Sequence, residues 1–350
     1  MSSNMNQQGR RTPWPAGRRP RVLVTQAVPQ PGIDLLRTFA DVDANPDEGV
    51  IWSKEELIAR LPGHDALYCL LTDTIDAEVL DAGPDLRVIA NMAVGFNNID
   101  IAEATRRGIP VTNTPGVLTD TTADFAWALL MAAARRVAEA DRFTRAGKFH
   151  GWGPLMLLGG DVAGRTLGVV GFGRIGQAVA RRAMGFGMPV LYYDIKPVDA
   201  ETERELNARH VSLDELLANA DFVSLHVNYT PETHHLLGHE QFARMKPTAY
   251  VVNTARGPVI DEAALAEALR ERQIAGAGID VYENEPEVHP ALLELENVVL
   301  APHIASASID TRNAMATIAA ENIKAVVENR RPPNLVNPEV WGEVQADQGQ

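Results

Sequence analysis

The sequence predicts an α/β protein built from two doubly wound, Rossmann-like parallel sheets. Three observations predict it. Short apolar runs alternate with helical segments along nearly the whole chain, the pattern of parallel strands covered by helices. At 350 residues there is room for two domains of ordinary size. A glycine-rich turn, Gly171-Phe-Gly173-Arg-Ile-Gly176, sits between an apolar run and a helical one near mid-chain, where a second α/β block begins.

The elements follow in order. Arg21-Val-Leu-Val-Thr25 opens the first block as a β-branched strand, followed by a helix over Gly32–Phe39. Ser53 and Glu56 form a capping box that starts the next helix. Strands are expected at Ala66–Leu71, Arg87–Ala90 and Ile109–Thr112, with helices near Ala77–Ala82 and Ile99–Arg107 between them. One long helix is expected from Thr121 to Gly147, with Phe125, Leu129, Ala132 and Arg136 at helical spacing. The second block starts with the strand Leu167–Val170 and the helix from Arg174 to Phe186. Its second strand ends at Leu-Tyr-Tyr-Asp194. A capping box, Ser212 with Glu215, starts a short helix, and Asp261 caps another that reaches Arg272. The remaining strands are Asp221–Val227, Ala249–Asn253, Ala275–Asp280 and Val298–Leu300. A last helix covers about Ile309 to Asn329, and Arg-Arg-Pro-Pro-Asn then ends regular structure.

Composition narrows the class. The chain is 45% hydrophobic and 22% charged, without the ~20-residue apolar run that spans a bilayer. No signal-peptide core precedes residue 21, and a single cysteine, Cys69, excludes an intrachain disulfide. These features point to a cytoplasmic protein with no membrane association. The net charge is −14, and the first 21 residues hold five arginines with no acidic residue, so the body is more acidic still. Nucleic acid is therefore excluded as a partner. Residues 1–20, rich in Pro, Gly and Arg, read as a disordered tail.

The glycine turn carries the first chemical reading. Gly171 permits a tight turn, Gly173 lets a pyrophosphate approach the backbone, and Gly176 lets helix and strand pack closely. The pyrophosphate then meets the free N–H groups at the helix start. Asp194, ending the next strand, accepts hydrogen bonds from ribose hydroxyls and repels a 2′-phosphate, which favours NAD over NADP. Strand ends elsewhere in the block carry Arg256, then Asp280 and Glu285, then His303. A histidine can move the proton that accompanies a hydride, a carboxylate can hold its ring, and an arginine can grip a substrate carboxylate. His234, His235 and His239 lack a carboxylate-rich partner set, and no metal site is expected.

These residues resemble the D-isomer-specific 2-hydroxyacid dehydrogenases, and most closely their glyoxylate and hydroxypyruvate reductase branch. The likeness covers about residues 21 to 335. It rests on ordered motifs: Asn91-Met-Ala-Val-Gly95-Phe-Asn-Asn-Ile-Asp100, Thr112 to Thr119, the glycine turn, His226 to Gly238, Val252-Asn-Thr-Ala-Arg256-Gly, Gly278-Ile-Asp280-Val-Tyr-Glu-Asn-Glu285-Pro and Pro302-His303-Ile-Ala-Ser. The resemblance implies that Arg256 binds the substrate carboxylate and carbonyl, that His303 is the acid/base, and that Glu285 is its partner. It implies further that the Val94 and Gly95 amides complete the carboxylate pocket. Thr119, Arg174 and Ile175 would reach the phosphates, and Thr254 and Asp280 would position the nicotinamide. The substrate domain would comprise 21–116 and 305–335, the inserted NAD-binding domain 117–304, and residues 336–350 a C-terminal tail. A cleft between the domains closing on a small 2-oxo acid, and a homodimer, are implied as well.

The same resemblance prunes relatives. Formate dehydrogenases have Gln where Glu285 stands, phosphite-oxidising relatives a lysine where Val94 stands, and many phosphoglycerate dehydrogenases an added C-terminal domain. Leu70, Leu71 and Thr72 resemble the reductase branch in the loop facing the substrate side chain. The alternatives are a D-lactate or phosphoglycerate enzyme, or an NAD(H)-sensing protein of the corepressor type.

Overall fold

The computed structural model describes residue 14 and residues 17–341. Twelve strands lie in two all-parallel sheets among them. The first sheet contains β1 (Arg21–Val24), β2 (Asp41–Ala44), β3 (Ala66–Cys69), β4 (Val88–Asn91) and β5 (Val111–Thr112), in the order β2-β1-β3-β4-β5. The second contains β6 (Leu167–Val170), β7 (Val190–Tyr193), β8 (Ala208–His210), β9 (Phe222–Leu225), β10 (Tyr250–Asn253), β11 (Gly276–Ile279) and β12 (Val298–Leu300), in the order β12-β11-β10-β9-β6-β7-β8. Both sheets are wound outward from a central strand in two directions, as the alternating pattern predicts. Two compact units result. One runs to Leu118 and resumes at Ser308; the other is Thr119–Ala307.

The central strands are largely apolar because helices cover both faces. β3, β4, β6, β9, β10 and β11 are buried at every position. In the first unit, the helix Ile309–Val327 returns to supply Met315, Ala316, Ala319, Ala320 and Ile323 to one core face. Its close approach to the helix Gln30–Phe39 needs Gly32, since a Cβ there would lie 2.8 Å from the Ala316 carbonyl oxygen. Tyr68 Oη, on β3, donates to that same oxygen at 3.2 Å.

Four expectations are corrected. The long helix from Thr121 to Gly147 is two helices, Thr119–Ala134 and Val137–Arg145. Arg136 breaks it by adopting a left-handed conformation, φ 54°, while its guanidinium grips Glu139 through two bonds of 2.7 Å. β2 and β8 escaped prediction because each is an edge strand: half of β2 faces solvent, and Arg209 and His210 of β8 are exposed.

The tail expected from residue 336 is packed as far as 341. Val336 N–H donates to Val111 at 2.8 Å, and the Asn337 side chain accepts from Val111 N–H at 2.8 Å. The Arg-rich N-terminal tail also docks where it is described. The Trp14 indole is buried beneath the Arg87 guanidinium, and Arg18 pairs with Asp65 at 2.8 Å. The remainder of both tails lies outside the described residues.

Candidate active site

The crevice of the second sheet opens at its switch point, where β6 neighbours both β7 and β9. The glycine turn fills that position. Gly171 has φ +90°, and a Cβ on it would lie 2.6 Å from the His226 carbonyl carbon at the end of β9. Turn and strand end thus meet backbone to backbone, and His226 N–H donates to Val170 at 2.7 Å. Gly176 packs in turn on the Gly171 carbonyl, closer than any side chain would allow. Gly173 differs: a Cβ there would meet nothing within 4 Å. It is the N-cap of the helix Arg174–Ala183, which has no side-chain cap and no acidic residue in its first turn. Uncapped N–H groups facing open space fit a dinucleotide pyrophosphate. At the end of β7, Asp194 accepts from Phe172 N–H at 2.6 Å, which fixes the carboxylate beside the turn. His226 is packed rather than available: its Nε2 lies 2.8 Å from Ser224 Oγ, and burial pushes its pKa down to about 3.

Three neighbouring strand ends carry the ionisable residues. Arg256 follows β10, Glu285 follows β11 and His303 follows β12. His303 Nδ1 lies 2.8 Å from Glu285 Oε2, with both side chains about one-third exposed. Burial raises the Glu285 carboxyl, but the His303 hydrogen bond and charge, the Tyr282 N–H and the Arg256 charge outweigh it. The net pKa lies below the ordinary carboxylate value. Arg256 is lowered by burial, with the Glu285 charge opposing that shift. Its guanidinium is steadied by a 2.7 Å bond to the Ala255 carbonyl.

His303 sits in an unusual backbone, φ +55°, and Asp280 holds it there. The Asp280 carbonyl accepts His303 N–H at 2.8 Å. Its wholly buried carboxylate accepts Ile304 N–H at 2.7 Å and Ala305 N–H at 2.8 Å. Two adjacent N–H bonds to one carboxylate overdetermine the turn and hold a strained backbone. Thr254, after β10, has a buried hydroxyl with no hydrogen-bond partner among the described residues. A donor left so is poised for a ligand carbonyl or amide. Thr119 opens the helix Thr119–Ala134.

Tyr282 went unremarked in the sequence. Its N–H donates to Glu285 Oε1 at 3.0 Å and its hydroxyl to the Ala301 carbonyl at 2.9 Å. It ties the segment carrying Glu285 to the strand leading to His303, and its place between Asp280 and Glu285 was the available signal.

Val94 and Gly95 lie in the other unit, just past the carboxyl end of β4. Among the described residues, their N–H groups have no hydrogen-bond partner. No group of three or more His, Cys, Asp or Glu among the described residues could hold a metal ion. His235 pairs instead with Glu283 at 2.6 Å.

The chain is similar to known proteins over most of its length. A family model described as "D-isomer specific 2-hydroxyacid dehydrogenase, NAD binding domain" matches residues 127–305. The chain is 58% identical to a glyoxylate reductase of Korarchaeum cryptofilum over 326 residues, covering 92% of this chain and 97% of the relative. It is 52% identical, with the same coverage, to a glyoxylate reductase of Thermococcus gammatolerans. Among solved structures, an NADPH-dependent glyoxylate/hydroxypyruvate reductase of Sinorhizobium meliloti, bound to NADP and malonate, superposes with a TM-score of 0.80. It is 33% identical and covers 92% of this chain and 98% of its own.

Proposed function

Because the chain belongs to the D-isomer-specific 2-hydroxyacid dehydrogenase family, we propose that it reduces glyoxylate or hydroxypyruvate to the 2-hydroxy acid. The observation that carries this reading is the His303–Glu285 pair at the strand end next to that of Arg256, within a dinucleotide-type sheet. The Arg256 guanidinium grips the substrate carboxylate and polarises the neighbouring carbonyl. His303 delivers the proton to the carbonyl oxygen from Nε2, since Nδ1 is engaged by Glu285. The Glu285 carboxylate holds the ring and stays ionised into acid solution, as its lowered pKa requires. The Val94 and Gly95 N–H groups bind the substrate carboxylate from the first unit.

A bound nicotinamide dinucleotide would supply the hydride. Gly171, Gly173, Arg174, Ile175 and Gly176 would hold its pyrophosphate, with Thr119 on a phosphate and Thr254 and Asp280 on the nicotinamide side. Asp194 would face the adenosine ribose, and its charge beside that hydroxyl favours NADH over NADPH.

We assign a homodimer to this enzyme as well. Val137, Phe149, Trp152, Leu155 and Leu158 all stand exposed on one short stretch, Trp152 at 83%. Apolar surface so concentrated marks a protein contact. Sedimentation should give a dimer, and Trp152→Ser combined with Leu155→Ser should give a monomer. The one cysteine, buried in β3, suits a reducing cytoplasm.

The test of activity is loss of NADH absorbance with glyoxylate, hydroxypyruvate and pyruvate in parallel, repeated with NADPH. Rapid turnover of glyoxylate or hydroxypyruvate with NADH is expected. Tight NADH binding without turnover of any of the three would overturn the reading.

A further inference from the structure

Ligands of an open parallel sheet bind beyond the carboxyl ends of its strands, and in the first unit two neighbouring ends carry adjacent turns. Residues 70–73 follow β3, and residues 92–98 follow β4. Neither turn holds itself by regular secondary structure. Side-chain amides hold them instead. Asn113 Nδ2 donates to the Val94 carbonyl at 2.8 Å. Asn91 Nδ2, on a wholly buried side chain, donates to the Gly95 carbonyl at 2.9 Å. Asn98 Nδ2 crosses to the other turn, donating to the carbonyls of Leu70 at 2.9 Å and Asp73 at 3.0 Å. Asn98 Oδ1 lies 3.4 Å from Asn91 Nδ2, which joins these two amides directly, while Asn113 meets them through the Val94–Gly95 backbone.

The consequence is a matter of peptide geometry. Each peptide is planar, with its carbonyl and the following N–H pointing opposite ways. A side chain that anchors the Val94 carbonyl therefore aims the Gly95 N–H, and the amide anchoring Gly95 restrains the same turn from its other side. Among the described residues the Val94 and Gly95 N–H groups are left without partners, as a receptor for an anion needs. The turn through Leu70 is pinned further by the buried Asp73 carboxylate, which accepts Leu70 N–H at 2.7 Å and the Thr25 hydroxyl at 2.5 Å.

We propose that Asn91, Asn98 and Asn113 are positioning residues: Asn113 and Asn91 hold the Val94–Gly95 turn so that the Gly95 N–H faces the substrate carboxylate, and Asn98 locks the Leu70–Asp73 turn beside it. Asn113 and Asn91 set carboxylate affinity. Asn98 sets how much side chain beyond the carbonyl the substrate can carry, because its side chain ties one turn to the other. This inference rests on the reductase reading above.

The experiment compares wild type with Asn113→Ala, Asn98→Ala and a control, Asp100→Ala. The control removes a helix cap, Asp100 accepting from Glu103 N–H at 2.9 Å, and so costs stability without touching either turn's amide network. In Asn113→Ala the KM for both glyoxylate and hydroxypyruvate should rise by about three- to tenfold, with kcat changing less. In Asn98→Ala the preference between the two acids, as a ratio of kcat/KM, should move by about threefold or more. NADH affinity should stay at the wild-type value in both. Kinetic changes no larger than those of Asp100→Ala would overturn the proposal. Oxamate affinity of the NADH-saturated protein separates this proposal from the reading beneath it. If wild type reduces neither acid but binds oxamate, and Asn113→Ala weakens that binding, the positioning role stands and the reductase reading falls. If wild type neither turns over nor binds oxamate, both fall.

Discussion

Gly171 and Gly173 lie two residues apart in one turn, yet an alanine at each should fail for different reasons. At Gly171 the added methyl meets two penalties. The backbone is left-handed, φ +90°, which costs a residue with a Cβ about 1–2 kcal/mol. The methyl would also lie 2.6 Å from the His226 carbonyl carbon and 2.7 Å from Val227 N, so turn and strand end must part by roughly 1 Å to reach van der Waals separation. Overpacking against backbone costs about 1–3 kcal/mol more. Together these should lower the melting temperature of the unit by about 4–20 °C, at ~2–4 °C per kcal/mol for this size. At Gly173 the methyl meets no atom within 4 Å, and the only loss is that of exchanging a good helix cap for a poor one, about 0.5–1 kcal/mol. Gly173→Ala should therefore melt within about 1–4 °C of wild type while binding NADH at least ~10-fold more weakly, because its methyl occupies the approach of the pyrophosphate. Calorimetry and NADH fluorescence titration read the two effects separately. Wild-type NADH affinity in Gly173→Ala would refute the placement of the pyrophosphate. Equal melting of the two variants would refute the steric argument at Gly171.

His303→Ala should abolish most turnover with NADH affinity retained, and Arg256→Ala should raise the substrate KM strongly while also lowering kcat; steady-state rates and a binding titration check both. Asp194→Ala should narrow the preference for NADH over NADPH, read as the ratio of kcat/KM for the two cofactors; an unchanged ratio would remove Asp194 from cofactor selection. His226 should make the second unit acid-sensitive. With a folded pKa of about 3 against an ordinary 6.5, the unfolded chain binds the proton first, so stability is full above that ordinary value and declines as pH falls toward the folded pKa. The slope is at most ~1.4 kcal/mol per pH unit, and His226→Asn should flatten the melting temperature across that window.

How legible these features were in the sequence depended on burial. The central strands were readable because both faces are covered, so an unbroken apolar run such as Leu167–Val170 admits little else. β2 and β8 were not, because an edge strand half open to solvent carries no such run. The break at Arg136 was hidden too: arginine is a good helix former, and the bonds its guanidinium makes in the left-handed conformation, to Glu139 three residues on and to the Leu158 carbonyl, leave no mark in residue type. Arg256, Glu285 and His303 were visible as ionisable residues at strand ends. The supporting contacts were not. The Asp280 grip on the Ile304 and Ala305 amides and the Asn98 bridge to Leu70 are side-chain-to-backbone bonds, and their partners leave no trace in residue type. Residues 336–341 read as a tail because proline ended the last helix, whereas Asn337 satisfies the backbone of β5 from a distance of 226 residues.

The return of the helix Ile309–Val327 to the first unit sets the order in which this protein can be made. Ala316 and its neighbours cover a face formed by β1, β3 and β4, all synthesised before residue 92. The unit Thr119–Ala307, being contiguous, can fold as it leaves the ribosome. The first unit must wait. At ~5–20 residues per second the intervening stretch of about 190 residues takes roughly 10–40 s to emerge. During that time an apolar sheet face stands open, a natural substrate for chaperones. A chain that stops before Ser308 would carry a complete second unit beside a first unit unable to close, and should be cleared or aggregate rather than persist as a partial enzyme.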